Sequence, residues 1–337
     1  MVPRYHTLGD AFEIGTLPPV TYLLFVLGFV LLVVGSGWLV DGSLKLARRL
    51  GTSELVIGLT VVSIGTSLPE LVVNINASMN GNAELAISNV LGSNIANVLL
   101  ILGLAAVIQP LPIRDRTILS EIPICLVATL LVGFLANAAL FGEVHVLSIS
   151  RLDAVILLGF FALFLGYVYR TAHDEFHREA AEPTPAQSLA APAVRILAGV
   201  AVLAVGGEWV VSGALTIVES FGVSESLVGL TVVALGTSAP ELAASVNAAY
   251  RGKADLAVGN VIGSNIFNFL WVLGISALIR PLPFDVVSNT DLVMVIVSSV
   301  LLLLSMTVGR INTVDRWEGG FFLAVYAAYL AFIGIRG

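Results

Sequence analysis

Charge is scarce in this chain of 337 residues: Asp, Glu, Lys and Arg together make up 12%, about half the share of a soluble domain. An ordinary water-soluble domain is thereby excluded. Cysteine occurs once, as Cys125 inside an apolar run. An intrachain disulfide and a thiolate metal cluster are both ruled out, and Cys125 reads as a small buried apolar residue. The four histidines, His6, His145, His173 and His177, fall in the tail and in polar connections, which argues against an intramembrane zinc or haem site. The net charge is −7, and no Lys/Arg run or aromatic-basic stripe occurs, so nucleic acid is excluded as a partner. Residues 1–19 lack the basic start, apolar stretch and small-residue cleavage site of a signal peptide, and the first apolar segment must itself direct insertion.

Apolar residues are abundant. Hydrophobic residues make up 57% and there are 32 glycines, the combination that lets helices pack closely in lipid. The chain is read as an all-α polytopic membrane protein. Stretches long enough for a hydrocarbon core of about 30 Å occur at 20–47, 53–79, 84–109, 117–138, 151–170, 193–217, 225–250, 256–279, 287–309 and 316–336. The longest polar connection, Arg170 to Pro192, mixes charge, Pro and Ala/Gln/Ser with no apolar face, and is expected to be a flexible linker. It separates an N-terminal tail (1–19) and five spans (20–170) from five more (193–337), with 171–192 between them.

The two halves are copies. A shift of 171 residues aligns GLTVVSIGTSLPEL at 58–71 with GLTVVALGTSAPEL at 229–242, and 32 of the 55 positions from Gly58 to Pro112 are identical. An odd number of spans per unit inverts the second copy relative to the first. The basic residues follow that inversion: Lys45, Arg48 and Arg49 correspond to Thr216, Glu219 and Ser220, while Asn80 and Asn82 correspond to Arg251 and Lys253. An outside N-terminus leaves only Arg4, Arg151, Arg280 and Arg336 of the 16 Lys/Arg outside, as the positive-inside rule requires. The expected location is the cell (inner or plasma) membrane, with the linker in the cytoplasm and the bilayer as the main partner.

Polar residues near mid-span carry the chemistry. Spans 2 and 7 hold Thr66, Ser67, Pro69 and Glu70, and again Thr237, Ser238, Pro240 and Glu241. A carboxylate at that depth costs about 2.5 to 3.5 kcal/mol on insertion scales and needs a partner, a proton or a cation. No Lys or Arg lies at matching depth. Each proline lacks the N–H that would reach the carbonyl four residues earlier, at Gly65 and Gly236, so carbonyls beside Thr66 and Thr237 become available. Spans 3 and 8 add Ser93 and Asn97, and Ser264 and Asn268, each pair four apart on one helix face. Together these faces form a hard-oxygen cage of charge −2, suited to Ca²⁺ or Na⁺. Asn89, Asn94, Asn260 and Asn265 are expected to bridge helices, and Asn76 and Asn247 to be interfacial. Asp41, Glu121 and Glu208 have no acidic equivalent in the other copy and are expected to be accessory.

At G-T-S-x-P-E (65–70 and 236–241) and G-S-N-x-x-N (92–97 and 263–268) the sequence resembles the sodium/calcium exchangers of the cation/calcium exchanger superfamily, in their prokaryotic form. The resemblance spans nearly the whole chain and implies ten helices in two inverted repeats, with four central cation sites shared in alternation by one Ca²⁺ or about three Na⁺. By that match Glu70 and Glu241 supply the shared carboxylates, and Thr66 and Thr237 supply backbone carbonyls. Ser67, Ser93, Ser238 and Ser264 match hydroxyl ligands, and the carbonyls of Ser63 and Ala234 reach the outer and inner sites. Asn stands at both Asn97 and Asn268, where some members carry Asp at the second position. That leaves two carboxylates and favours Na⁺/Ca²⁺ exchange over K⁺ co-transport. Spans 1 and 6 resemble the family's sliding pair. No resident cofactor is expected, and a monomer is the expected working unit. The same carboxylates would also serve H⁺/Ca²⁺ antiport. A cation channel is a weaker alternative, because filters are usually built by symmetry-related subunits. Hydrolysis at Ser67 or Ser238 lacks an intramembrane base, so the chain is not read as an enzyme.

Overall fold

The computed structural model describes residues 19–113, 120–138, 147–179, 188–219 and 234–336. The expected tail up to residue 18, His6, His145, the 117–119 start of the fourth span, residues 180–187 of the linker and the 225–233 part of the seventh span lie outside the described residues. The first helix, α1, runs Pro19–Leu50. It stops where Gly51 turns left-handed at φ 58° and the Thr52 N–H caps the Ala47 carbonyl at 3.1 Å. A broken pair follows, α2 (Glu54–Thr66) and α3 (Leu68–Asn80), bent by 45°. Next come α4 (Ala83–Ile108), α5 (Ile122–Ala136), α6 (Arg151–Glu179) and α7 (Ala190–Glu219). The remaining helices are α8 (Ala234–Thr237), α9 (Ala239–Tyr250), α10 (Ala254–Ile279), α11 (Ser288–Ser305) and α12 (Arg316–Arg336).

Seven of the described helices are long and apolar enough to cross a membrane, and the bent α2–α3 pair would make an eighth. The connection between the halves differs from expectation, because α6 continues to Glu179 and α7 begins at Ala190. Residues 171–179 (TAHDEFHRE) hold no Pro or Gly and include good helix formers, so the helix carries on past the apolar span. The chain-breaking prolines, Pro183 and Pro185, come only afterwards.

The centre of the molecule is α4 and α10, whose most apolar stretches are 72% and 78% buried, against 33% for α1 and 28% for α7. Helices with that much exposed apolar surface are suited to lipid contact. Glycine sets the spacing of two crossings. A Cβ on Gly206 would sit 2.9 Å from the Gly28 carbonyl, and one on Gly199 would sit 2.9 Å from the Gly35 carbonyl, so α1 and α7 touch backbone to backbone. Similarly, a Cβ on Gly259 would sit 2.8 Å from the Leu55 carbonyl and one on Gly263 would sit 2.9 Å from Leu59 Cα, which seats α10 against α2.

Two short antiparallel ladders link the halves. Strand β1 (Leu111–Pro112) pairs with β4 (Thr313–Val314), and β2 (Ser148–Ile149) pairs with β3 (Leu282–Pro283). Gly81 and Gly252, 171 residues apart, both adopt left-handed backbone, at φ 77° and 68°. The sequence repeat is thus also a repeat of local conformation at the turns that follow α3 and α9.

Candidate functional site

The backbone breaks where the prolines stand. Ser67 (φ −84°, ψ 6°) separates α2 from α3, and Ser238 (φ −82°, ψ 5°) separates α8 from α9 with nearly the same dihedrals. Each proline enters within the first two residues of the following helix, where a missing N–H costs least. Glu70 and Glu241 then fall in the first turns of α3 and α9. The positive end of a helix dipole favours a carboxylate there. On α4 and α10 the α-helical ladder gives way to π-helical turns, at Ala96–Leu102 and Asn268–Val272, the kind of local widening that accompanies functional sites. Asn97 and Asn268 sit in these turns.

The polar side chains meet across the two halves in matching pairs. Ser67 donates to Glu241 Oε1 at 3.0 Å, and Ser238 donates to Glu70 Oε1 at 3.2 Å. Thr66 donates to Asn260 Oδ1 and Thr237 donates to Asn89 Oδ1, both at 3.2 Å. Asn97 Nδ2 donates to Asn265 Oδ1 at 2.9 Å, and Asn268 Nδ2 donates to Asn94 Oδ1 at 3.2 Å. Each bond has its mate 171 residues away in both partners. Glu70, Glu241, Ser67, Ser93, Ser264, Asn97 and Asn268 are all buried, as are Thr66, Thr237, Ser238 and Ser63.

Six oxygens in this cluster lack a hydrogen bond of ordinary geometry: Glu70 Oε2 and Glu241 Oε2, Ser93 Oγ and Ser264 Oγ, Asn97 Oδ1 and Asn268 Oδ1. They form three pairs related by the same shift. A buried polar atom left unmatched costs about 1 to 3 kcal/mol, and native proteins keep few of them. Among the described residues, neither glutamate is in an ion pair, and no cluster of three or more His, Cys, Asp or Glu occurs. The arrangement can therefore offer hard oxygen atoms and two carboxylates to a cation, the ligand chemistry of Ca²⁺ and Na⁺ rather than of softer metals.

The other predicted residues divide clearly. The Thr66 hydroxyl is also within 3.1 Å of the Val62 carbonyl, and the Ser63 hydroxyl donates to the Gly58 carbonyl at 2.6 Å. Thr66, Thr237 and Ser63 thus have hydroxyls already engaged as donors. Ala234 opens α8. Asp41 pairs with Arg251 at 2.5 Å and Arg195 at 3.6 Å. Glu121 accepts from the Tyr167 hydroxyl at 2.6 Å, and exposed Glu208 accepts from Ser212 at 3.3 Å. Asn76 is exposed, and Asn247 donates to Ser36 at 3.0 Å.

The sequence reading passed over Asn74 and Ser245. Asn89 donates to Asn74 Oδ1 at 2.7 Å, and Asn260 donates to Ser245 Oγ at 2.9 Å. Asn74 in turn donates to the Ala86 carbonyl at 2.9 Å and to Ser276 Oγ at 3.3 Å. The available signal was their position four residues after Glu70 and Glu241, on the same helix face, and the polarity both copies keep there.

Fold and site together define the class: a multi-pass integral membrane protein with a buried, acidic, oxygen-rich centre. Within that class the chain belongs to the sodium/calcium exchanger family, whose profile ("Sodium/calcium exchanger protein") matches residues 20–170 and again 192–334. It is 38% identical over 292 residues to the inner membrane protein YrbG of Escherichia coli, covering 83% of this chain and 87% of YrbG. It is 33% identical over 348 residues to the sodium/calcium exchanger MaX1 of Methanosarcina acetivorans, covering 92% and 97%. Among solved structures it is similar to the sodium-calcium exchanger NCX_Mj soaked with Na⁺ and Ca²⁺, with a TM-score of 0.75, 34% identity and coverage of 93% of this chain and 98% of that one. The family is one of membrane exchangers that move cations, not of enzymes.

Proposed function

We propose that this protein is a Na⁺/Ca²⁺ antiporter in which both ions compete for one buried site and alternating access carries them across. The observation that carries the reading is the set of six unmatched oxygens in symmetric pairs, two of them carboxylate. In this reading Glu70 and Glu241 bind Ca²⁺ directly. Ser67, Ser93, Ser238, Ser264, Asn97 and Asn268 complete the cation sites, with carbonyls from Thr66, Thr237, Ser63 and Ala234. Ca²⁺ prefers six to eight oxygens, and its two positive charges would match the two carboxylates, each placed at a helix N-terminus that favours negative charge.

The architecture of the proposal is ten spans in two inverted repeats, 20–170 and 193–337, with the N-terminus outside and the link between them in the cytoplasm of the cell membrane. A single chain then holds the whole site. The paired helices α1 and α7, locked together through their glycines, move as one body across the central helices and expose the site to either side. Ca²⁺ leaving with several Na⁺ entering would carry net charge and so respond to voltage.

Purified protein in Na⁺-loaded liposomes, diluted into Na⁺-free buffer with pH clamped on both sides, tests the reading through ⁴⁵Ca²⁺ uptake. The expected result is uptake that disappears when internal K⁺ replaces Na⁺. Uptake driven equally well by a proton gradient would instead make the counter-ion H⁺, with the same two glutamates.

A further inference from the structure

Amide side chains can present either oxygen or nitrogen, and a cation site tolerates only oxygen. Asn97 and Asn268 both leave Oδ1 unmatched in the cluster while Nδ2 is engaged. Their orientation can be traced back to fixed atoms. Asn265 Nδ2 lies 3.4 Å from the backbone carbonyl of Asn94, and Asn94 Nδ2 lies 3.4 Å from the backbone carbonyl of Asn265. A carbonyl can only accept, so it compels each of these amides to turn its nitrogen toward the other helix. Asn265 Oδ1 must then face Asn97, and Asn94 Oδ1 must face Asn268. Each oxygen demands a donor, so Asn97 and Asn268 must offer Nδ2 and turn their oxygens the other way.

We infer that Asn94 and Asn265 are positioning residues that force Asn97 and Asn268 to present oxygen, not nitrogen, to the transported cation. The inference rests on the exchange reading above and extends it to two residues that touch no ion. All four asparagines are buried, so no solvent competes for these donors and acceptors. Removing the acceptor at 265 frees the Asn97 amide to flip, which puts a donor N–H where a ligand is needed.

Aspartate at 97 supplies oxygen in either orientation and therefore needs no clamp. The test is a double-mutant cycle on reconstituted protein, reading the ion concentrations that give half-maximal Na⁺-driven ⁴⁵Ca²⁺ flux, with wild type alongside. Asn265→Leu should raise those concentrations by about tenfold or more. In the Asn97→Asp background the same substitution should change them by less than about threefold. An equal penalty in both backgrounds, or no penalty in either, overturns the inference. Absence of Na⁺-driven flux in wild type would defeat the exchange reading itself, a separate outcome. If Asn265→Leu does not fold, Asn94→Leu with Asn268→Asp poses the same question through the paired half and is judged by the same criteria.

Discussion

The two halves of the molecule differ least at the centre and most at their edges. The bonds Ser67 to Glu241 and Ser238 to Glu70, the Thr to Asn pairs and the asparagine clamp are all present twice. One layer out, the copies diverge. In the first half Asn89 is held by Asn74, which also grips the Ala86 carbonyl and Ser276; in the second, Asn260 ends on Ser245. Further out, the charges are one-sided. Arg251 and Lys253 pair with Asp41 and Glu54, whereas Asn80 and Asn82 hold the matching positions and Asn82 caps a helix by accepting from the Leu85 N–H at 3.0 Å. Cation ligation tolerates little change of geometry, while the residues around it need only hold that geometry. Duplication therefore persists at the proposed cation site and relaxes away from it.

The comparison can be broken at several depths. Glu70→Gln and Glu241→Gln should each lower Na⁺-driven Ca²⁺ flux by about 100-fold or more, to similar extents, because losing one carboxylate costs a buried charge-assisted interaction worth about 3 kcal/mol. Flux assays on monodisperse protein check this, and a strongly unequal pair would break the symmetry of the site. At the crossing of α10 with α2, Gly263→Ala should destabilise the fold by about 1 to 3 kcal/mol, since its Cβ would lie 2.9 Å from both Leu59 Cα and the Leu59 carbonyl. Thermal unfolding in detergent reads that loss.

The second layer should show the asymmetry. Asn74→Ala removes the partner of Asn89, Ala86 and Ser276 together, and should cost about 2 kcal/mol in thermal stability, against about 1 kcal/mol for Ser245→Ala. Equal losses would mean that the longer relay of the first half is not coupled. The smallest effect belongs to the edge. Asp41→Asn breaks a pair whose side chains are 35% and 39% exposed, so it should change stability by no more than about 1 kcal/mol, and less as salt rises. Unfolding measured at low and high ionic strength checks both parts.

Much of this was legible in the sequence because the repeat repeats its chemistry. Glu70 and Glu241 stand out as carboxylates in apolar helices beside proline, and Ser93, Asn97, Ser264 and Asn268 follow from helical spacing. The pairing of each residue with the opposite copy was not legible, since spacing within one helix says nothing about which face of another it meets. Asn74 and Ser245 were missed for that reason: a lone polar residue on one helix reads as glue until its partner's donor is placed. Asn94 and Asn265 read as glue as well, and only the two backbone carbonyls show which way their amides turn. The extension of α6 to Glu179 was missed because apolar patterning ends at the membrane while backbone hydrogen bonding does not. The clean break at Ser67 and Ser238, by contrast, was written in the prolines.

The central claim is that Ca²⁺ and Na⁺ share the carboxylates of Glu70 and Glu241. Equilibrium binding of ⁴⁵Ca²⁺ to purified protein, titrated with Na⁺ and repeated on the Glu70→Gln, Glu241→Gln double variant, tests it most directly. The account predicts saturable Ca²⁺ binding that Na⁺ displaces and that the double variant loses while remaining folded. Ca²⁺ binding that survives both substitutions, or that Na⁺ leaves untouched in the wild type, would contradict it.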